Sequence, residues 1–442
     1  MTLRAALVKS TIVAALGGLL FGFDTAVIAG TTAGLTRTFT LSPWRLGFTV
    51  AIALVGTIIG SMLAGIPGDR YGRRASLRWM AILYLISAIG CAAAWSWPSL
   101  LVARFIGGLG IGGSSVLGPM YIAEISPAKW RGRLVGFFQF NVVAGILIAY
   151  FSNYLIGLNV GGPEEWRWML GVSGIPALFF FLMLFVIPES PRWLVQQNRV
   201  ADARQTLEDI GEENVDAELQ DIRRSVDYEH GHGREPLFQH KYRIPIFLAV
   251  SVAMFNQLSG INAILYYLND IFARAGFSKV SGDLQAVLIG ATNLVFTIVA
   301  MSIIDRVGRK TLLLIGAVGT AVCLAGVAAI FLTGTHEGLL VWLLVGFIAF
   351  FGFSQGAVIW VFISEVFPTR VRASGQSLGT FTHWFMNALI SWTFPIIATY
   401  SRGAPFLVFS AMMIVQFFVV LGSYPETKGV TLEDMQAKLG IA

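Results

Sequence analysis

Charge is what this chain has least of: Asp, Glu, Lys and Arg make up 13% of its 442 residues, against 55% hydrophobic. A soluble protein of this length would fold as two or three domains with charged surfaces. A mean hydropathy of +0.70 leaves too little polar surface for that. Cysteine is almost missing as well. Cys91 and Cys323 both lie in apolar segments, so they read as inert buried thiols and no disulfide framework is expected. The sequence spells out no nucleophile–base pair and no cluster with metal-ligand spacing, which argues against an enzyme and against a resident metal or cofactor. The alternating pattern of a membrane β-barrel is lacking too. Lipid leaves no solvent for unpaired backbone groups, so the expected architecture is all-α.

What the chain does have is long apolar runs. About 20 such residues cross a bilayer core of roughly 30 Å. Twelve runs qualify, at 11–31, 46–66, 76–95, 99–122, 134–157 and 168–187, then at 245–271, 284–304, 311–333, 338–363, 374–399 and 404–423. Met1–Gly30 has the basic start of a signal peptide, but its apolar stretch is long and carries Asp24, so it is read as the first span. The pI near 9.4 does not point to nucleic acid, because the basic residues follow the topology. Most sit on the even-numbered connections, the central segment and the tails, while the odd connections hold only Arg37, Arg45, Arg167, Arg274, Lys279 and Arg402. That asymmetry is the positive-inside signature. It predicts a multi-pass protein of the cytoplasmic membrane, with the lipid bilayer as partner and both termini in the cytoplasm.

Three sets of residues recur in the same order at a nearly constant offset. Asp69-Arg70-Tyr71-Gly72-Arg73-Arg74 recurs as Asp305-Arg306-Val307-Gly308-Arg309-Lys310. Tyr121-Ile122-Ala123-Glu124 with Arg131 recurs as Phe362-Ile363-Ser364-Glu365 with Arg372, and Pro188-Glu189-Ser190 as Pro425-Glu426-Thr427. A duplicated six-helix half explains all three. The expected divisions are an N-terminal bundle over 1–188, a cytoplasmic helical linker over 189–242, and a C-terminal bundle with a short tail over 243–442. Within the polar linker, Leu207, Ile210, Leu219 and Ile222 recur at helical intervals, which predicts short amphipathic helices against the cytoplasmic ends of the bundle. His230, His232 and His240 read as a solvated loop, since no acid or Cys completes a metal site.

Gly65–Arg74 places a tight turn and an Arg cluster in a short loop, and its Asp can accept from a helix N-terminus. The acids Asp69, Glu124, Glu189, Asp305 and Glu365 and the bases Arg73, Arg74, Arg131, Arg192, Arg309 and Arg372 form a candidate cytoplasmic gate. Glu124 with Arg131 and Glu365 with Arg372 are its expected pairs. An exposed pair is worth only about 0–1 kcal/mol, but a network made in one conformation and broken in another biases a gate. Gly108-Leu109-Gly110-Ile111-Gly112-Gly113 satisfies the dinucleotide fingerprint, yet it lies in an apolar helix with no preceding strand. Gly56, Gly60, Gly108 and Gly112 are expected at close helix contacts instead.

Arg104 lies deep in the fourth span and Asp24 equally deep in the first. A charge at that depth costs roughly 2.5–3.5 kcal/mol on insertion scales, so it normally has a partner and a function. An acid and a base in one polytopic chain indicate a proton- or ion-coupled transporter; the alternative is a structural ion pair between two helices. Uncharged polar residues enrich other spans. Asn256, Gln257, Ser259 and Asn262 surround Gly260, a break that brings Gln257 toward a cavity, and Asn262, Tyr266 and Asn269 share one face by spacing. Thr380, His383, Asn387 and Ser391 form a stripe beside Trp384, Asn293 and Thr297 repeat it in the eighth span, and Gln139 and Trp360 lie in the fifth and tenth. Amides offer a donor and an acceptor side by side, which suits vicinal hydroxyls, and Trp faces suit C–H-rich sugar surfaces. Interhelical hydrogen bonding, at about 0.6 kcal/mol per contact, is the alternative. The expectation is a cavity for a neutral polyhydroxylated ligand.

Taken together these residues resemble the sugar porters of the major facilitator superfamily, over nearly the whole chain. The resemblance is carried by Phe21–Asp24, Gly65–Arg74, Arg104–Gly108, Pro119–Glu124 with Arg131 and Gly132, Pro188–Arg192, Gln257–Asn262, Asp305–Lys310 and Pro425–Gly429. It implies twelve transmembrane helices in two pseudo-symmetric six-helix bundles, a central sugar site and alternating access. The family's sugar-binding positions fall on Gln139, Gln257, Asn262, Asn293, Trp360, Trp384 and Asn387, with His383 standing where relatives carry Gln or Asn. Asp24 matches the proton-coupling Asp of the bacterial symporters and Arg104 its Arg partner, whereas the facilitative glucose transporters carry Asn at that position. Asn256 stands in place of a second Gln, Gly352 in place of Glu, Met301 in place of Gly, and no proline precedes Trp360 in the tenth span. The expected activity is proton-coupled import of a monosaccharide, hexose or pentose, by a monomer. A facilitative uniporter is the alternative within the class, and a non-transporting sugar sensor the alternative outside it.

Overall fold

Apolar runs in lipid must close their backbone hydrogen bonds internally. The structure, a computed structural model, describes residues 4–231, 235–368, 370–430 and 432–441, and these contain helices and no strand. Among them, eleven helices are long and apolar enough to cross a membrane. The first six spans are Ala5–Val27, Pro43–Leu63, Arg73–Ala92, Trp97–Ile125, Ala128–Asn159 and Glu165–Met183. The seventh is broken into Arg243–Leu258, Ile261–Tyr266 and Leu268–Arg274. Lys279–Val307 and Arg309–Thr333 come next, then the broken tenth span, Leu340–Phe353 with Gln355–Val366, and finally Arg372–Tyr400 and Ala404–Ser423. Arg372–Tyr400 is the expected eleventh span, and its polar stripe is what keeps it out of the hydropathy count.

Local chemistry sets the helix boundaries. Ser96 and Ser99 exchange side-chain and backbone bonds in a capping box, with Pro98 in the first turn, to start the fourth span. Ser278 Oγ accepts from Ser281 N at 3.3 Å to start the eighth. Gly260, at φ +81°, interrupts the seventh span where the sequence places a break, and a Cβ there would lie 2.2 Å from Phe409. The interruption at Ser354 in the tenth span carries no Gly–Pro signal; its hydroxyl bonds back to Phe350 O while the chain leaves the helical region at φ −115°, ψ −92°.

The duplication is visible in backbone detail. Gly72 and Gly308, both left-handed at φ +94° and +101°, precede the third and ninth spans. A Cβ on either would sit 2.6 Å from a carboxylate oxygen, Glu189 Oε2 in the first case and Glu426 Oε2 in the second. The glycines expected at close contacts are there: a Cβ on Gly56 would lie 2.4 Å from Phe105 O and one on Gly112 2.1 Å from Thr57 O.

The chain divides into two compact units. One comprises Met1–Thr25, Val55–Ile146 and Arg167–Gly233; the other comprises Ala26–Leu54, Leu147–Trp166 and Arg234–Ala442. In the first, the linker helices Val200–Ile210 and Val215–Gly231 bury Leu207, Ile210, Leu219 and Ile222 in one cluster with Tyr121 and Ile125. In the second, Phe362, Phe367 and Val420 form the core with Met435 and Leu439 of the tail. Trp79, Ile89, Phe179 and Phe418 remain exposed on span surfaces, the faces a bilayer covers.

Candidate functional site

The charge pair comes first because it is the costliest feature. Arg104 Nη1 lies 3.8 Å from Asp24 Oδ1, with the arginine 3% and the aspartate 20% exposed. At that distance the contact is an ion pair rather than a hydrogen bond. A buried guanidinium and a partly accessible carboxylate form an asymmetric pair in which the acid is the more exposed member.

The polar residues of the second unit converge as the sequence suggests. The break at Gly260 turns Gln257 back, so its Oε1 accepts from Asn262 Nδ2 at 2.9 Å. Its Nε2 lies 3.0 Å from Asn256 Oδ1 and 3.2 and 3.3 Å from the two ring nitrogens of His383. The His383 ring centroid is 5.1 Å from those of both Trp360 and Trp384. Below them, Asn387 Nδ2 donates to Tyr266 OH at 3.2 Å and its Oδ1 accepts from Ser391 Oγ at 3.1 Å. Gln257, His383 and Asn387 are buried, whereas Trp360 is 38% exposed. A fixed row of amides beside an accessible indole face can bind a neutral polyol. Asn293 is buried alongside Gly352 of the tenth span. Gln139 is on the fifth span in the first unit, with its side chain exposed.

Asn269 does not share a face with Asn262. The helix is interrupted at Tyr267, φ −113° and ψ 19°, so the i, i+7 relation fails. Asn269 donates instead to Asp283 Oδ1.

The charged loop motifs assemble twice, once per unit, but with partners that sequence spacing misassigns. Glu124 takes a two-pronged bond from Arg73, Nε to Oε2 at 2.9 Å and Nη2 to Oε1 at 2.9 Å, and a third from Ser190 Oγ at 2.6 Å. Glu365 does the same with Arg309, at 3.2 and 2.8 Å, and with Thr427 Oγ1 at 2.6 Å. Arg131, the expected partner of Glu124, donates to Ala123 O and Ser126 O at 3.1 and 3.4 Å, and Arg372 to Phe367 O at 3.4 Å. Both arginines follow a helix end whose last carbonyls lack intrahelical donors, which is where a cation is drawn. Asp69 is 71% exposed and reaches Arg73 Nη1 at 3.1 Å.

Glu189 and Glu426 cap helices. Glu189 Oε1 accepts from Arg74 N at 3.0 Å, and Glu426 accepts from Arg309 N and Lys310 N at 2.9 and 3.1 Å. Burial pushes the Glu426 carboxyl up, but backbone donors from Lys428, Arg309, Lys310 and Thr427 more than offset this and hold it below its ordinary value. Arg74 Nη1 donates to Ile187 O at 2.9 Å, and half-buried Arg192 lies in Pro191–Gln196. The side chains of Asp305 and His230, and all of His232, lie outside the described residues; His240 faces Arg243 Nη1 at 3.2 Å.

One cluster escaped sequence reasoning. Lys279 Nζ pairs with the carboxylate of Glu165, and Asp283 lies buried beside Asn269. They line a cavity of about 340 Å³ with Arg37 and Asp270. The available signal was Lys279, one of the few cations on an odd connection.

Duplicated helical halves, an acid–base pair within the spans and a row of amides define a membrane transporter of the major facilitator fold. The family described as "Sugar (and other) transporter" matches residues 10–439. The D-xylose-proton symporter of Escherichia coli (strain K12) is 36% identical, covering 97% of this chain and 94% of that protein. The arabinose-proton symporter of Bacillus subtilis (strain 168) is also 36% identical, covering 96% and 93%. Among solved structures, the partially occluded inward open conformation of the xylose transporter XylE from E. coli matches with a TM-score of 0.87 at 35% identity, covering 97% of this chain and 100% of that one. The chain belongs to the sugar transporter family.

Proposed function

We propose that this protein is a proton-coupled symporter that imports a monosaccharide by alternating access. The observation that carries the reading is the Asp24–Arg104 pair at 3.8 Å, with the acid the more accessible member. Asp24 takes a proton from outside, and Arg104 is its ion-pair partner. Gln257, Asn262, Asn293, Trp360, His383, Trp384 and Asn387, with Gln139 from the other half, bind the sugar. Two relatives are named for xylose and arabinose, which makes an aldopentose the first sugar to test.

Alternating access is assigned to two six-helix domains, 1–188 and 243–442, joined by the linker 189–242. The bonded Arg73–Glu124 and Arg309–Glu365 pairs and the two glutamate caps form the cytoplasmic gate. The protein works as a monomer in the cytoplasmic membrane, and the distribution of Lys and Arg supports placing both termini in the cytoplasm. Uptake of a panel of labelled pentoses and hexoses into proteoliposomes, with and without an imposed proton gradient, tests the reading. Gradient-dependent accumulation of one sugar supports it. Gradient-independent equilibration favours a uniporter, and binding without flux favours a sensor.

A further inference from the structure

Cations are rare on the odd connections, yet half of those present converge on one place. Arg37, Arg274 and Arg402 line a single groove of about 400 Å³ in the second unit. That volume lies in the range of ligand pockets, about 300–1,000 Å³. Arg402 Nη1 donates to the backbone carbonyl of Arg274 at 3.4 Å, which ties its side chain to the segment that carries Arg274. Arg274 Nη1 donates to Ala398 O at 2.8 Å and Arg37 Nε to Ala33 O at 3.3 Å. Each spends one donor on a carbonyl, and a guanidinium carries five. All three side chains are exposed. Among the described residues Asp270 is the only acid lining the groove, so three positive charges face one carboxylate.

The rest of the lining is mainly apolar. Phe331 stacks on Phe406 with centroids 5.5 Å apart, Phe394 meets Phe406 edge-on at 6.0 Å, and Leu41 and Leu46 complete the wall. Among the described residues no Asn or Gln lines it, so it lacks the paired donors and acceptors that a sugar requires. Its depth in the bilayer is marked by two exposed aromatics. Trp44, 49% exposed, follows Pro43 at the groove's edge, and Tyr400, 88% exposed, precedes Arg402 by two residues. Trp and Tyr in such positions sit at headgroup level.

We infer that this groove binds an anionic phospholipid, its phosphate held by Arg37, Arg274 and Arg402 and an acyl chain lying along Leu46 and Phe331, which the buried Phe394 and Phe406 back. Arginine forks match phosphate oxygens in pairs, and the aromatic wall offers hydrocarbon a dry surface at the depth where a lipid's chain begins. The occupant is an amphiphile with a negative head. A free anion would leave the apolar wall uncovered, and a zwitterionic lipid would bring its own cation to the arginines. The proposal is independent of sugar transport. Loss of lipid preference with uptake intact overturns the groove alone, and loss of uptake with the preference intact overturns the transport reading alone.

Native mass spectrometry of the delipidated full-length protein, titrated with phosphatidylglycerol, phosphatidylcholine or inorganic phosphate, is the test. An excess of two charges, at about fivefold per charge near a membrane surface, gives an expected preference for phosphatidylglycerol of roughly thirtyfold. Arg37→Gln with Arg274→Gln and Arg402→Gln abolishes that preference, and the corresponding triple Lys variant retains most of it. Removing Arg223 and Arg224 of the linker leaves it unchanged. Equal binding of both lipids by the unmodified protein overturns the inference without any variant having to fold. So does a preference that survives in the Gln triple, or inorganic phosphate that binds as tightly as phosphatidylglycerol.

Discussion

Replacing Asp24 by Asn removes a titrating group while keeping its shape, and the geometry of the pair fixes the scale of the effect. Asp24 and Arg104 lie 3.8 Å apart, worth about 4 kcal/mol at an effective dielectric near 20. Taking the two charges out of water costs several kcal/mol each. The attraction offsets only part of that cost, so a proton arriving at Asp24 would change the energy of the pair by a few kcal/mol, the scale on which a carrier switches. A potential of 100 mV acting on one charge supplies about 2.3 kcal/mol, enough at about 1.36 kcal/mol per decade for roughly fifty-fold accumulation. Asp24→Asn carries no proton, so the ratio of internal to external sugar falls to about one, while exchange of labelled for unlabelled sugar persists. The variant also leaves Arg104, 3% exposed, without this counter-charge, and losing one partner of a buried pair destabilises by about 3–5 kcal/mol. Thermal unfolding measured beside uptake separates loss of coupling from loss of fold. Sustained uphill accumulation by a folded Asp24→Asn protein would show that the pair is structural and that the proton travels elsewhere.

Gln257→Ala breaks the bonds to Asn262 and His383 and is expected to weaken sugar binding by roughly five- to 150-fold, about 1–3 kcal/mol, as read by calorimetry; an unchanged affinity removes Gln257 from the site. His383→Gln restores an amide beside Trp360 and is expected to keep sugar affinity within a few-fold, whereas its collapse makes the imidazole a specific requirement. Glu124→Gln and Glu365→Gln weaken the charge-assisted bonds from Arg73 and Arg309 and bias the protein toward the inward-facing state. Faster labelling of cysteines placed at the cytoplasmic mouth checks this, and an unchanged rate counts against the gate. Glu426, held below its ordinary carboxyl value, is deprotonated in the folded state to lower pH than in the unfolded chain. Its stabilisation is therefore complete above about pH 4.5 and is lost as pH falls through the folded value. Glu426→Gln should lower thermal stability at pH 7 and flatten its acid limb, and an unaltered acid limb contradicts the cap.

Much of this molecule is legible in its sequence because lipid imposes strong rules. Length and apolarity mark the spans, a glycine marks the break at Gly260, and repeated motifs mark the two halves down to the matching left-handed Gly72 and Gly308. What stayed hidden depends on three-dimensional choice among several acceptors. Arg131 is seven residues from Glu124, yet helix-end carbonyls at Ala123 and Ser126 draw it away, and Arg73 from another helix takes the carboxylate. The break at Ser354 has no proline to announce it, and the one at Tyr267 splits a face that spacing alone makes continuous. Glu165 and Lys279 pair across distant segments, and no local pattern links them. The amide row around Gln257 was legible residue by residue, but its bonding to His383 was not.

Proton-coupled sugar import is tested most directly by recording labelled-sugar uptake and internal pH together in proteoliposomes holding the unmodified protein. With an inward proton gradient, sugar is expected to rise above its external concentration while protons enter with it, and an uncoupler collapses both. Sugar that only equilibrates, with internal pH indifferent to its presence, would contradict the account.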